Sequence, residues 1–150
     1  MSQNAAERTF RKGLARLQAG ENITALAYFE AAIRIEQRRG RPPAPRYVSY
    51  YGVGLAQATD RLEEARDACE NAVAAEFYNP ELLLNLGRVC MLAGDRAAAH
   101  QAYRTGLRLE PDHRGLRQAL QKMGVRRPPR LGFLRRSHPV NRVLGRFIAP

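Results

Sequence analysis

Small and apolar residues return along this chain at helical spacing, in blocks that can be laid over one another. With Ala25, Ala65 and Ala99 as anchors, a larger or softer side chain stands four residues on (Phe29, Cys69, Tyr103) and a small one seven on (Ala32, Ala72, Gly106). Five residues before each anchor comes a turn or cap residue (Gly20, Asp60, Gly94), and twelve before come Gly13, Val53 and Gly87. Offsets of four and seven lie on one face of an α-helix. Small residues let one helix approach another closely while the larger one fills the gap above them, so each block predicts a helix hairpin. The second and third anchors are 34 residues apart and the first and second 40, with the excess in Gly40-Arg41-Pro42-Pro43-Ala44-Pro45. A single hairpin cannot bury its apolar faces alone, whereas stacked hairpins bury them against one another.

Turn and cap residues set the expected boundaries. Helices are predicted over 5–19, 22–38, 45–59, 61–76, 80–93, 95–109 and 112–123, which makes three hairpins and a single capping helix. Asn4 with Glu7, and Asp60 with Glu63, have the spacing of a capping box. Asn22 and Asp95 follow Gly20 and Gly94 as N-caps. Asn79 precedes Pro80, a cap followed by proline at the first helical position. Asp112 opens the last helix and Gly124 closes it. The expectation is an all-α chain with a helical-repeat domain over 1–123 and a tail over 124–150.

The tail has its own pattern. Arg126-Arg127-Pro128-Pro129-Arg130 reads as an extended, polyproline-like linker. A short amphipathic helix is expected near 139–148: Val140, Val143, Leu144, Phe147 and Ile148 form one apolar stripe, with Asn141, Arg142 and Arg146 opposite. Leu131, Phe133 and Leu134 make a second apolar cluster upstream. So short a helix needs a surface to lie on. Phe133, Val140, Val143, Leu144 and Phe147 are therefore docking candidates, toward this chain's own repeats, a partner or second copy, or an anionic membrane, for which the segment is very short.

The segment Asn85-Leu86-Gly87, followed by Gly94, Ala99, Tyr103 and Pro111, resembles the tetratricopeptide repeat. The likeness covers residues 80–113 well and residues 7–40 in part, since Gln37 stands where the closing proline belongs. It is weakest over 47–79, where Val53 or Gly54 takes the glycine site according to where a one-residue gap is placed. The chain thus resembles a small bacterial-type protein of this family with a basic C-terminal tail. The resemblance implies a right-handed α-α superhelix whose concave face is lined by the first helix of each hairpin, and a peptide or protein as ligand.

Projected onto that face, the first helices offer Phe10, Arg11 and Leu14, then Tyr47, Tyr51 and Leu55, then Leu84, Asn85 and Arg88. Val48 and Tyr50 are alternatives in the middle set, and Glu7 and Glu81 are neighbours. An aromatic and aliphatic surface edged by arginines suits an amphipathic helix or an extended peptide with an acidic group. The competing reading is that these side chains pack between repeats. In some members of the family, Lys and Asn on successive first helices clamp a terminal carboxylate. Phe10 and Leu14 stand where that clamp would begin, so the activity is not carried over.

Composition adds constraints. At 150 residues and 45% apolar the chain is long and apolar enough for one buried core. No run nears the roughly 18 apolar residues of a membrane span, and the polar first residues, Met1 to Arg8, hold no signal-peptide core. A cytoplasmic location is expected. Residues 1–123 carry 18 basic and 14 acidic side chains, a net +4, while residues 124–150 carry seven arginines and no acid, a net +7. That concentration raises association with RNA or the ribosome through the tail as an alternative, although only Phe133 and Phe147 could stack on bases there.

Catalytic chemistry finds no footing. His100, His113 and His138 lie at no metal-ligand spacing from one another or from Cys69 and Cys90. Both cysteines fall on inward positions, as small hydrophobes. Glu63, Glu64, Asp67 and Glu70 open a helix, where carboxylates face solvent and favour its dipole. Gly52-Val53-Gly54 lacks the preceding strand and the lysine of a phosphate loop. No catalytic residue, metal or cofactor is assigned. The expected role is a non-catalytic scaffold or adaptor for a protein or peptide partner, with a homodimer through the tail as a further possibility.

Overall fold

The structure, a computed structural model, describes residues 3–124, with residues 3 and 4 as backbone only. Asn4, expected as a cap, falls inside the first helix, which already begins at Gln3; the linker near 126–130, the helix near 139–148 and the docking residues Phe133, Val140, Val143, Leu144 and Phe147 lie outside the described residues. The chain forms two units, Met1–Leu120 and Gln121–Pro150. Residues 121–124 are the described part of the second.

Among the described residues there are seven helices and no strand: α1 (Gln3–Gln18), α2 (Asn22–Arg38), α3 (Pro45–Ala58), α4 (Leu62–Ala75), α5 (Pro80–Leu92), α6 (Arg96–Leu109) and α7 (Arg114–Lys122). The first six pair as α1/α2, α3/α4 and α5/α6, and the hairpins stack through α2 on α3, α4 on α5, and α3 on α5. No helix among the described residues is long and apolar enough to cross a membrane. The three anchors Ala25, Ala65 and Ala99 have no exposed surface, and Phe29 and Cys69 above them have none either.

Each hairpin closes where a first-helix glycine meets a second-helix side chain. A methyl group on Gly13 would stand 2.6 Å from Phe29 Cε1, and one on Gly87 would stand 2.1 Å from Tyr103 Cε1. In the middle hairpin that position is Gly52, whose methyl group would lie 2.7 Å from Cys69 Sγ, so neither Val53 nor Gly54 holds the site. The cause is the turn. The outer hairpins turn through Gly20 and Gly94 at φ 78° and 81°. There the Glu21 N–H donates to Arg16 O and the Asp95 N–H to Cys90 O, both at 2.9 Å, a left-handed C-cap wrap. The middle turn has no glycine. Thr59 is extended (φ −141°, ψ 176°), and its hydroxyl donates to Leu55 O at 2.7 Å and accepts from Arg61 N–H at 3.1 Å. This route takes one more residue between the glycine and the anchor. Gly54, two residues from Gly52 and so on the opposite side of the helix, would set a methyl group 3.3 Å from the Leu26 Cα of the preceding hairpin. Gly52-Val53-Gly54 therefore lets α3 lie close to α2 and α4 at once.

Caps follow the sequence in part. Asn79 accepts from Glu81 N–H at 3.0 Å and Asp95 from Ala98 N–H at 2.9 Å, as expected. Asn22 instead begins α2 and extends its amide to Gln57 O at 3.5 Å, Arg61 takes the cap position expected for Asp60, and the α7 cap is His113, whose Nδ1 accepts from Leu116 N–H at 3.2 Å. Asp112 pairs with Arg117. Leu116, with no exposed surface, lies on Gly106, and Gly115 lies on Leu84, so α7 covers the end of the third hairpin.

Candidate binding groove

The first helices α1, α3 and α5 form a row cross-linked by polar side chains set on an aromatic base. The Phe10 ring lies 4.8 Å from Tyr47, 5.4 Å from Tyr50 and 5.6 Å from Phe29, centre to centre, and Phe29 lies 5.7 Å from Tyr50. These separations are those of favourable offset and edge contacts. Phe10 comes from α1, Phe29 from α2 and the tyrosines from α3, so this cluster fixes the first hairpin to the second.

Two tyrosine hydroxyls tie the row together. Tyr47 donates to Glu7 Oε2 at 3.0 Å, joining α3 to α1, and Tyr50 donates to Glu81 Oε1 at 2.7 Å, joining α3 to α5. Burial, then the carboxylate beside each, raises both phenol pKa values to about 12, so both hydroxyls remain donors in ordinary buffers. Desolvation pushes the Glu7 carboxyl upward, but hydrogen bonds from Arg11 and Tyr47 and the charges of Arg46 and Arg11 together hold it below its usual range. Deeper in the row, Asn85 donates to Ser49 Oγ at 3.1 Å and accepts from Arg88 Nη1 at 3.3 Å. Asn85 and Ser49 have no exposed surface, so each satisfies the other in the packed interior.

This geometry divides the residues expected to line the groove. Phe10, Leu55 and Asn85 have no exposed surface, and Tyr47 and Leu84 keep 6% each. They shape the row from within. Arg11 and Arg88 are exposed and Leu14 is half-buried. Tyr51 stands apart: its hydroxyl donates to Glu64 Oε1 of α4 at 3.2 Å, while Tyr50 turns to the first-helix row. One position in a helix is a turn of 100°, and the pair Tyr50-Tyr51 gave the sequence no means of choosing between them. Glu81 was considered only as a neighbour, yet it is the acceptor that fixes Tyr50. Cys69 and Cys90 are buried free thiols. Burial pushes Cys69 to about 12, and its Sγ contacts Ser49 O at 3.4 Å, so it serves the α3/α4 contact as a neutral group.

Residues 80–113 match the family model of the tetratricopeptide repeat. Residues 80–113 are a tetratricopeptide repeat, and the unit that holds them has the tetratricopeptide-repeat fold. The matched segment is α5 and α6 with the Pro111 that follows. No curated protein sequence matches the chain. Among solved structures, the tetratricopeptide-repeat domain of Arabidopsis OM64 superimposes with a TM-score of 0.64 at 18% identity, over 83% of this chain and 98% of that one. PcrH, solved in complex with the chaperone-binding region of PopB, gives 0.63 at 18% identity, over 81% and 96%. The first tetratricopeptide-repeat domain of Spaghetti (RPAP3), solved with the HSP90 peptide SRMEEVD, gives 0.60 at 18% identity, over 83% and 97%. The shared tetratricopeptide-repeat fold is an α-α superhelix of stacked hairpins; the sequence pattern predicted the hairpins and the family resemblance implied the superhelix.

Proposed function

We propose that the chain is a non-catalytic adaptor that holds a segment of a partner protein against the first-helix row. The observation that carries this reading is the row itself: exposed Arg11 of α1 and Arg88 of α5 share it with half-buried Leu14 and Tyr50, and Tyr50 packs on the Phe10 ring beneath. A partner segment gains apolar contact at the centre and charge-assisted hydrogen bonds at both ends. Because Tyr50 is already fixed by Glu81, little side-chain freedom is lost on binding. Two proteins of the same fold support the reading, since PcrH and Spaghetti (RPAP3) were solved with a protein region and a peptide.

The test is selection of peptides from a displayed library on the full chain, followed by affinity measurement on the intact protein and on Arg11→Ala with Arg88→Ala. Arg88 donates to the buried Asn85 and Arg11 to Glu7, so a circular dichroism melt checks that the double variant is folded. Selected peptides are expected to bind the double variant at least about tenfold more weakly, the loss of two charge-assisted contacts. Equal affinity for both proteins would remove the row from the account.

A further inference from the structure

The turn between α4 and α5 displays two aromatic rings to solvent. Phe77 is 71% exposed and Tyr78 63%, and their rings stand 5.5 Å apart, centre to centre, at 82°. Among the described residues they are the only large exposed apolar side chains that stand next to one another. The turn beneath them is braced. The Asn79 N–H donates to Glu76 O at 3.2 Å, Asn79 Nδ2 donates to Glu76 Oε2 at 3.1 Å, and Asn79 Oδ1 accepts from the Glu81 N–H at 3.0 Å. A molecule that lands on the rings therefore has little backbone to order.

The chain contains its own control. One repeat on, the turn between α6 and α7 closes in the same way, with the His113 N–H donating to Glu110 O at 3.1 Å. Glu76 and Glu110 open the two turns with nearly the same backbone, φ −135° and ψ 71° against φ −137° and ψ 90°. The corner of the second turn is Pro111-Asp112. The fold thus closes this turn without aromatic residues, and leaving two rings in water is unfavourable. Contact with another molecule accounts for them, and tyrosine is among the residues enriched where binding energy concentrates.

Charge selects the partner. The chain carries a net +11, yet residues 67–87 hold four acidic side chains and no basic one. Glu70 pairs with Arg66 at 2.8 Å. Glu76 and Glu81, one on each side of the rings in sequence, bond instead to neutral groups, the Asn79 amide and the Tyr50 hydroxyl. Neither forms an ion pair among the described residues. Ring faces between uncompensated carboxylates attract a cation, and the flat guanidinium of arginine stacks on a ring while it donates to a carboxylate. An anionic lipid surface or a nucleic acid is repelled by the same carboxylates. We infer that this turn docks an arginine-bearing, extended segment of a partner protein. Phe77 and Tyr78 are not part of the first-helix row, so the inference stands whether or not a partner lies on that row.

The experiment measures fluorescence anisotropy of a labelled hexapeptide of alternating arginine and proline with the full chain. A salt concentration of about 0.15 M screens repulsion from the rest of the basic chain beyond about 8 Å. Phe77→Pro with Tyr78→Asp gives the turn the corner that already closes its neighbour. It also adds a negative charge, so diffuse attraction predicts tighter binding and stacking on the rings predicts weaker. Phe77→Ala with Tyr78→Ala removes the rings without touching the bonds that brace the turn, and circular dichroism melts check that both variants are folded. Each is expected to bind about tenfold more weakly, the loss of two ring contacts, with Arg11→Ala plus Arg88→Ala close to the parent. A hexapeptide of alternating glutamate and proline is expected not to bind. No binding of the arginine peptide, or binding unchanged or tightened in the ring variants, would overturn the inference. A parent that ignores the peptide but self-associates in light scattering, or binds phosphatidylserine vesicles, through the rings would overturn it in favour of a second copy or a membrane.

Discussion

At the scale of the residue, Gly87 decides how closely α5 and α6 approach, because any Cβ there would enter the Tyr103 ring. Gly87→Ala gains helix propensity of about 1 kcal/mol yet forces a ring or a helix to move, and such overpacking costs about 1–3 kcal/mol or more. Gly94 differs. Nothing lies near its missing side chain, but its φ of 81° is left-handed, so Gly94→Ala is expected to cost about 1–2 kcal/mol through the backbone alone. Urea melts on the two variants check both claims, and a Gly87→Ala protein as stable as the parent would show that the ring has room. The inner positions of both outer hairpins were legible because a glycine twelve residues before a buried alanine recurs. The middle hairpin misled by one residue because Thr59 replaces the left-handed glycine, and sequence spacing carries no sign of that longer path.

At the scale of the element, helix ends tie one hairpin to the next. Asp95 caps α6 through Ala98 N–H, and its other oxygen accepts from Arg66 of α4 at 3.0 Å. The backbone bond first, and the Arg66 bond next, outweigh desolvation and hold its carboxyl below the ordinary 3.8. The unfolded chain therefore takes up the proton first as pH falls. The stability contributed by this cap is complete above about 3.8 and is lost as pH drops through the lower folded value. Asp95→Ala is expected to lower the urea midpoint at neutral pH, with the gap to the parent narrowing below 3.8. A gap independent of pH would place the effect in packing. All seven helices were legible from apolar spacing, with ends within a few residues of those observed. The caps were less so: His113 and Arg61 hold positions expected for Asp112 and Asp60, because a cap depends on local backbone angles that a residue type favours without fixing.

At the scale of the molecule, the fold was legible because stacking demands a repeat, and the repeat is written in small residues. The candidate site was expected from its helices more than from its individual side chains. The first helices were expected to form the binding face, but a helix in the middle of a stack has neighbours on several sides, and periodicity does not say which of two adjacent residues meets which neighbour. Hence Asn85, Phe10 and Leu55 went inward and Tyr50 took the place expected of Tyr51. The central claim is that a partner is held on α1, α3 and α5. It is tested most directly by following amide shifts of the isotope-labelled full chain as a selected peptide is added. The account predicts the largest changes near Arg11, Leu14, Tyr50 and Arg88, with the outward faces of α2, α4 and α6 unmoved. Changes confined to those outward faces would contradict it.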